Sequence, residues 1–199
     1  MKRHSESRQI PVAISAHHVH FTQATIDLLF GKNYVLQPRS ALSQPGQFAA
    51  VETVTLIGPL GRLEHVRVLG PSRAADQVEV SRTDQRTLGL DAPLRLSGDL
   101  ESTPGLVLEG PKGRAVLTTG VVCALRHFHM SPSDAEDLNV KDHDVVQVAV
   151  ESEGRRVVFG DVVVRVSPDY RLELHLDTDE GNAAGAGPET TAHLVNQPV

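Results

Sequence analysis

Valine-rich segments that alternate apolar with polar side chains run through the chain: "VETVTLIG", "EHVRVLG", "QVEVSRT", "GLVLEG", "HDVVQVAVES", "RRVVFGDVVVRVS" and "YRLELHLD". A period of two sends successive side chains to opposite faces of an extended strand, and β-branched residues suit the half-buried pleated surface that results. Gly-Pro, Pro-Gly or charged turns separate these segments at short intervals. Many short strands joined this way predict a mainly β sandwich or barrel. Two segments carry helical signals instead. "TQATIDLLFG" offers Thr22 as N-cap, an apolar face at Ile26, Leu29 and Phe30, and Gly31 as the stop; "SPSDAEDLNV" offers Ser131 as cap and Pro132 at the first helical position.

A length of 199 residues at 40% hydrophobic content supports one large or two small domains. No apolar run approaches the roughly 20 residues needed to span a bilayer, and "MKRHSESRQIPVAIS" lacks the apolar core of a signal peptide. The expected location is therefore cytoplasmic, with no membrane partner. One cysteine excludes an internal disulfide and any cysteine-rich zinc module. A net charge of -6 argues against a nucleic-acid partner while leaving room for a local basic pocket.

A weak internal repeat organises the histidines. His18 and His20 recur at His127 and His129, each shifted by 109 residues (127 − 18, 129 − 20), and each pair follows an apolar strand and precedes a capped helix. Two similar modules are the expected organisation. Residues two apart on a strand share a face, so each His-x-His unit places two imidazoles side by side. Two such units, with His175 in "LELHLDTDE", point to metal held by nitrogen and oxygen donors, zinc first and other divalent transition metals after it. Glu79, Glu173, Asp177 and Asp179 are all candidate carboxylate ligands, and spacing does not choose among them.

Arg73 in "VLGPSR", Arg82 in "EVSRTD" and Ser97 with Gly98 in "LRLSGDL" are candidates for an anionic ligand. The chain has no Walker-type loop, no G-x-G-x-x-G fingerprint and no G-x-S-x-G elbow. Nucleotide hydrolysis, dinucleotide binding and a serine nucleophile are correspondingly disfavoured. Cys123, in the apolar "GVVCALR", reads as core.

"PVAISAHHVH", "LSQPGQFAAVETVTLIGP", "VRVLGPSRAADQVEVSRTD", "LSGDL", "RHFHMSPSDAEDLNVKD" and "VSPDYRLELHLDTDEGNAA" together resemble the propanediol-utilisation type of phosphate acyltransferase, the PduL family, from about Pro11 to Ala184. The resemblance implies two tandem closed β-barrels capped by short α-helices, with the N-terminal strand crossing into the C-terminal barrel. The expected boundaries are a flexible tail over 1–8, a first strand over 9–16 that joins the C-terminal barrel, a central barrel over 17–124, a C-terminal barrel over 125–184 and a loosely ordered tail over 185–199. It further implies reversible acyl transfer between coenzyme A and inorganic phosphate at a two-metal site between the barrels. His18, His20 and Glu79 would hold one zinc ion and His127, His129 and His175 the other, while Arg73 would contact phosphate and Ser97 would lie at the reacting centre.

The implied substrates are a short acyl-CoA, acetyl or propanoyl, and phosphate. The implied assembly is a homodimer. Family members can be packaged in bacterial microcompartments, usually through an N-terminal extension; the short segment before the first strand, without an amphipathic period, favours a free cytosolic enzyme. One departure is visible. The first family unit usually reads Arg-His-x-His, and His17 stands where that arginine would be, whereas Arg126 is kept in the second unit. Two readings compete with acyl transfer: a zinc-dependent thioester or phosphoester hydrolase on the same ligands, and a binding module with structural metal.

Overall fold

The computed structural model describes residues 8–196. Its elements run β1 (Ile10–Ser15), β2 (His18–His20), α1 (Gln23–Phe30), β3 (Pro38–Ala41), β4 (Phe48–Ile57), β5 (Arg62–Gly70), β6 (Gln77–Glu79) and α2 (Arg82–Leu88). They continue β7 (Leu94–Arg95), β8 (Leu106–Glu109), β9 (Arg114–Leu117), β10 (Val121–Ala124), β11 (His127–Met130) and α3 (Pro132–Leu138). The last are β12 (Val145–Glu151), β13 (Val157–Val166), β14 (Glu173–Asp177), α4 (Thr178–Ala184) and β15 (Thr191–Asn196). No helix among the described residues is long and apolar enough to cross a membrane.

The chain divides into two compact units, one of residues 16–124 and one that joins the N-terminal strand to residues from 125 onward. In the second unit six strands close a barrel in the order β1-β14-β11-β13-β12-β15. The crossing strand β1 lies parallel to β14, with Val12 opposite Leu174, and antiparallel to β15, with Ile10 opposite Ala192. The barrel interior is filled by Ile10, Phe128, Met130, Val148, Val164, Leu174 and their neighbours.

The loosely ordered tail expected over 185–199 is corrected over 191–196, and residues 197–199 lie outside the described residues. Residues 191–196 form β15, which pairs with β12 and β1 and closes the barrel. Gly, Pro and Thr around "AGAGPETT" mask a strand whose Ala192 is only 1% exposed. Ala192→Asp, which buries a carboxylate in this seam, is expected to cost about 3 kcal/mol and to lower the melting midpoint by roughly 6–12 °C in calorimetry. Residues 1–7 of the expected N-terminal tail lie outside the described residues. Arg8 is described, and its guanidinium pairs with Asp134 at 2.5 Å and Asp137 at 3.3 Å.

In the other unit the sheet order is β7-β10-β6-β2-β5-β4-β8-β9, with β3 added on β4. The inner run β10-β6-β2-β5-β4-β8 repeats the barrel's sequence of pairings: parallel, antiparallel, parallel, antiparallel, antiparallel. The corresponding barrel ladders are β1 with β14, β14 with β11, β11 with β13, β13 with β12, and β12 with β15. Closure differs. The sheet of this unit is curled, and among the described residues no strand ladder closes it; at the place where β15 pairs with β1 in the barrel, the Val121 N–H donates to the Pro104 carbonyl at 3.0 Å and the Gly120 N–H donates to Thr103 Oγ1 at 2.8 Å. Val19, Val54, Val66, Val68, Val78 and Leu108 fill its core.

Among the described residues, each of the four helices follows a strand of the inner sheets through a capped turn. Thr22 caps α1 and Ser131 caps α3, with Pro132 at the start of α3, as the sequence signals predict. Capping boxes at Ser81/Asp84 and Asp177/Glu180 start α2 and α4, which those signals did not identify. The cap satisfies N–H groups that the first turn leaves unpaired, so each helix can begin immediately after a strand end.

Candidate active site

The strand β2 is three residues long, and all three are buried. Val19 points into the core at 0% exposure, so the period of two sends His18 and His20 together to the other face. β2 runs antiparallel to β6 with His18 opposite Glu79 and His20 opposite Gln77. Directly opposed residues bring their Cβ atoms to roughly 4.5–5.5 Å. The donor atoms of His18, His20 and Glu79 lie within 4.8 Å of one another, and His18 Nε2 is 3.5 Å from Glu79 Oε2.

The tautomer of His18 follows from its neighbour. Its Nδ1 lies 2.8 Å from the Ala16 carbonyl, which only accepts, so Nδ1 donates and Nε2 faces Glu79. Burial, the strongest influence, acts to lower the His18 pKa, but the Glu79 carboxylate and the Ala16 carbonyl outweigh it and raise it. His20 moves the other way: burial, then His18 and Arg73, push it down to about 3. His20 is therefore a neutral ring, the form that binds metal, and its buried Nδ1 meets no hydrogen-bond partner among the described residues.

The same construction recurs in the closed barrel. β11 runs antiparallel to β14 with His127 opposite His175 and His129 opposite Glu173, while Phe128 and Leu174 turn into the core at 0% exposure. The donor atoms of His127, His129 and His175 lie within 4.8 Å of one another. His127 stacks on His175 with ring centroids 5.0 Å apart, and His129 meets His175 edge-on at 4.6 Å. His127 Nδ1 donates to the Leu125 carbonyl at 2.7 Å, the counterpart of His18 and Ala16. Tyr170 stacks on His129 at 4.2 Å and backs the cluster. Glu173 is 9% exposed, and its Oε2 lies 2.9 Å from His175 Nε2, off the direction a hydrogen bond needs.

Ladder register matches the third members of the two donor clusters as the 109-residue shift matches the first two. Glu79 corresponds to His175 and Gln77 to Glu173, both shifted by 96 (175 − 79, 173 − 77). The departure at His17 has a counterpart in this scheme. His17 Nδ1 lies 3.1 Å from Asp84, the capping-box acid of α2, and Arg126 Nε lies 3.4 Å from Glu180, the capping-box acid of α4. Each residue just before a His-x-His unit thus ties that strand to the helix following the partner strand, and neither belongs to a ligand cluster.

Arg73 and Ser97 meet beside the first cluster. Arg73 Nη1 donates to Ser97 Oγ at 3.3 Å. Gln77, 2% exposed, joins them: its Nε2 donates to Ser97 Oγ at 2.8 Å and to Glu79 Oε1 at 2.5 Å, and its Oε1 accepts from the Gly98 N–H at 2.8 Å. Arg82 is elsewhere, donating to the Ala92 carbonyl and pairing with Asp91. Asp177 caps α4, Asp179 sits in its first turn, and neither joins a cluster of donor atoms. Sequence reasoning passed over Gln77, Tyr170, Asp84 and Glu180. The signal for Gln77 was available, because it stands two residues before Glu79 and shares its strand face.

The family model described as phosphate propanoyltransferase matches residues 11–187. This chain belongs to the phosphate propanoyltransferase family. A protein of that name from Escherichia fergusonii is 54% identical over 191 residues, covering 96% of this chain and 90% of the relative. The phosphate propanoyltransferase of Thermotoga maritima is 55% identical over 186 residues, 94% of this chain and 89% of its own length. That of Klebsiella pneumoniae is 53% identical over 192 residues, 96% and 91% of the two chains. The match to the phosphate propanoyltransferase family spans both His-x-His units, Glu79, His175, Arg73, Gln77 and Ser97.

Proposed function

We propose that this phosphate acyltransferase moves a short acyl group, acetyl or propanoyl, reversibly between coenzyme A and inorganic phosphate. Its ligand sets would hold two divalent ions, zinc first, one on His18, His20 and Glu79 and one on His127, His129 and His175. The juxtaposition of a buried three-donor cluster with Arg73 and Ser97 supports this reading most directly. Neutral imidazoles suit zinc, and three protein ligands leave a coordination position open for a reacting group. When bound, the ions supply positive charge for the phosphate and for the oxygen of the thioester carbonyl.

The chain's own groups do the rest. The Arg73 guanidinium orients phosphate through a forked contact, and Ser97 donates a hydrogen bond to the reacting centre. A phosphate oxygen attacks the thioester carbonyl carbon; the C–O bond forms, the C–S bond breaks, and the proton of hydrogen phosphate ends on the coenzyme A thiol. A thiolate is a competent leaving group near neutral pH, so strong acid assistance is not required. Both substrates are bound together and no side chain is acylated. The reading includes a homodimer in the cytosol, which sedimentation and cell fractionation test.

The deciding experiment supplies acetyl-CoA or propanoyl-CoA and follows thiol release with phosphate present and withheld. Release is expected to fall to background without phosphate and to return with it. Release that ignores phosphate would make water the nucleophile and the protein a hydrolase. Acylated protein trapped without phosphate would replace the ternary complex with a covalent route.

A further inference from the structure

We propose that Gln77 is a positioning residue that makes Ser97 an obligate hydrogen-bond donor while it holds Glu79 toward its cluster. This rests on the acyltransferase reading of the same site. The amide orientation is set by its partners. The Gly98 N–H can only donate, so the amide oxygen must face Gly98 and the NH2 is left to face Glu79. A flipped amide would oppose donor to donor and acceptor to acceptor. The second NH2 hydrogen is then committed to Ser97 Oγ at 2.8 Å.

Ser97 Oγ also receives Arg73 Nη1 at 3.3 Å. A hydroxyl has two lone pairs and one hydrogen, and both lone pairs are occupied by donors. The remaining function of Ser97 is to donate. The groups that gain or carry negative charge in the reaction, phosphate oxygens and the departing sulfur, need a donor of that fixed polarity. Gly98 anchors the arrangement with φ 98°, in the left-handed region that favours glycine. The corresponding position in the closed barrel is Glu173, which has no NH2 to offer. The donor device therefore belongs to the Arg73 centre alone.

The test compares wild type, Gln77→Glu, Gln77→Met, Ser97→Ala and the two double variants, each with steady-state kinetics at varied phosphate, metal content per chain and a thermal melt. Gln77→Glu keeps shape but turns the donor into an acceptor that captures the Ser97 proton. Its kcat is expected to fall about 100-fold, the scale of one lost transition-state donor. KM for phosphate should change by less than about threefold, because Arg73 remains. With zinc in excess, which restores any metal lost with the Gln77–Glu79 contact, each double variant should be no slower than Ser97→Ala alone. A folded, metal-loaded Gln77→Glu with wild-type kcat overturns the inference, and so do losses that multiply in the double variants. If Gln77→Glu melts early or loses metal, Gln77→Met decides by the same non-additivity. Full recovery of Gln77→Met by excess zinc would assign Gln77 to Glu79 alone and also overturn it. A wild type that releases thiol without phosphate refutes the acyltransferase reading instead, an outcome visible before any variant is compared.

Discussion

Replacing His127 with alanine is expected to strip the metal proposed for the closed barrel and to lower turnover by about 1000-fold or more, while the barrel stays folded. The ring is 8% exposed and stands within 5.0 Å of the His175 ring and 4.7 Å of the His129 ring. Its Nδ1 is held by the Leu125 carbonyl, so its other nitrogen needs no rotamer search to meet a cation. Removing one of three protein donors leaves two, too few for a tight divalent site in competition with water. The several kcal/mol that a cation contributes to stabilising an oxyanion is then lost, which the rate relation converts to the stated factor. The fold should survive because the core is built by Phe128, on the other strand face, at 0% exposure. Elemental analysis alongside kinetics checks the result; unchanged metal content would mean that His127 is not a ligand.

Arg73→Ala is expected to raise KM for phosphate and lower kcat/KM by roughly 100-fold or more, with metal content near normal. The guanidinium donates to Ser97, so its loss removes the proposed anion contact, while His18, His20 and Glu79 stay on their own strands. A forked contact to phosphate is worth several charge-assisted hydrogen bonds, and lysine cannot reproduce the fork. Arg73→Lys should therefore recover only part of the loss. Phosphate titrations of both variants with metal analysis test this, and full activity in Arg73→Ala would remove Arg73 from the site.

The helices show where local signals suffice. α1 and α3 were visible because Thr22 and Ser131 stand directly before apolar-periodic or proline-led segments. α2 and α4 are seven residues each, in "SRTDQRTLG" and "DTDEGNAAG", where polar residues and a glycine dilute any helical period. Their stability comes from capping and from docking on the sheet: the Leu60 N–H donates to the Leu88 carbonyl at α2, and Gly181 of α4 packs against Ile14. β15 escaped notice for a related reason. A strand that closes a barrel is stabilised by its two neighbours, which lie far away in sequence.

The chain's own order of residues determined the β character, the duplicated His-x-His units and the pairing of imidazoles on one strand face, because each follows from a period of two along a single segment. Tertiary structure decided which distant residue completes each trio. Glu79 joins His18, and His175 joins His127, because antiparallel ladders set them opposite each other. It also decided which donors reach the Ser97 hydroxyl, Gln77 and Arg73, because no spacing along the chain reveals those partners.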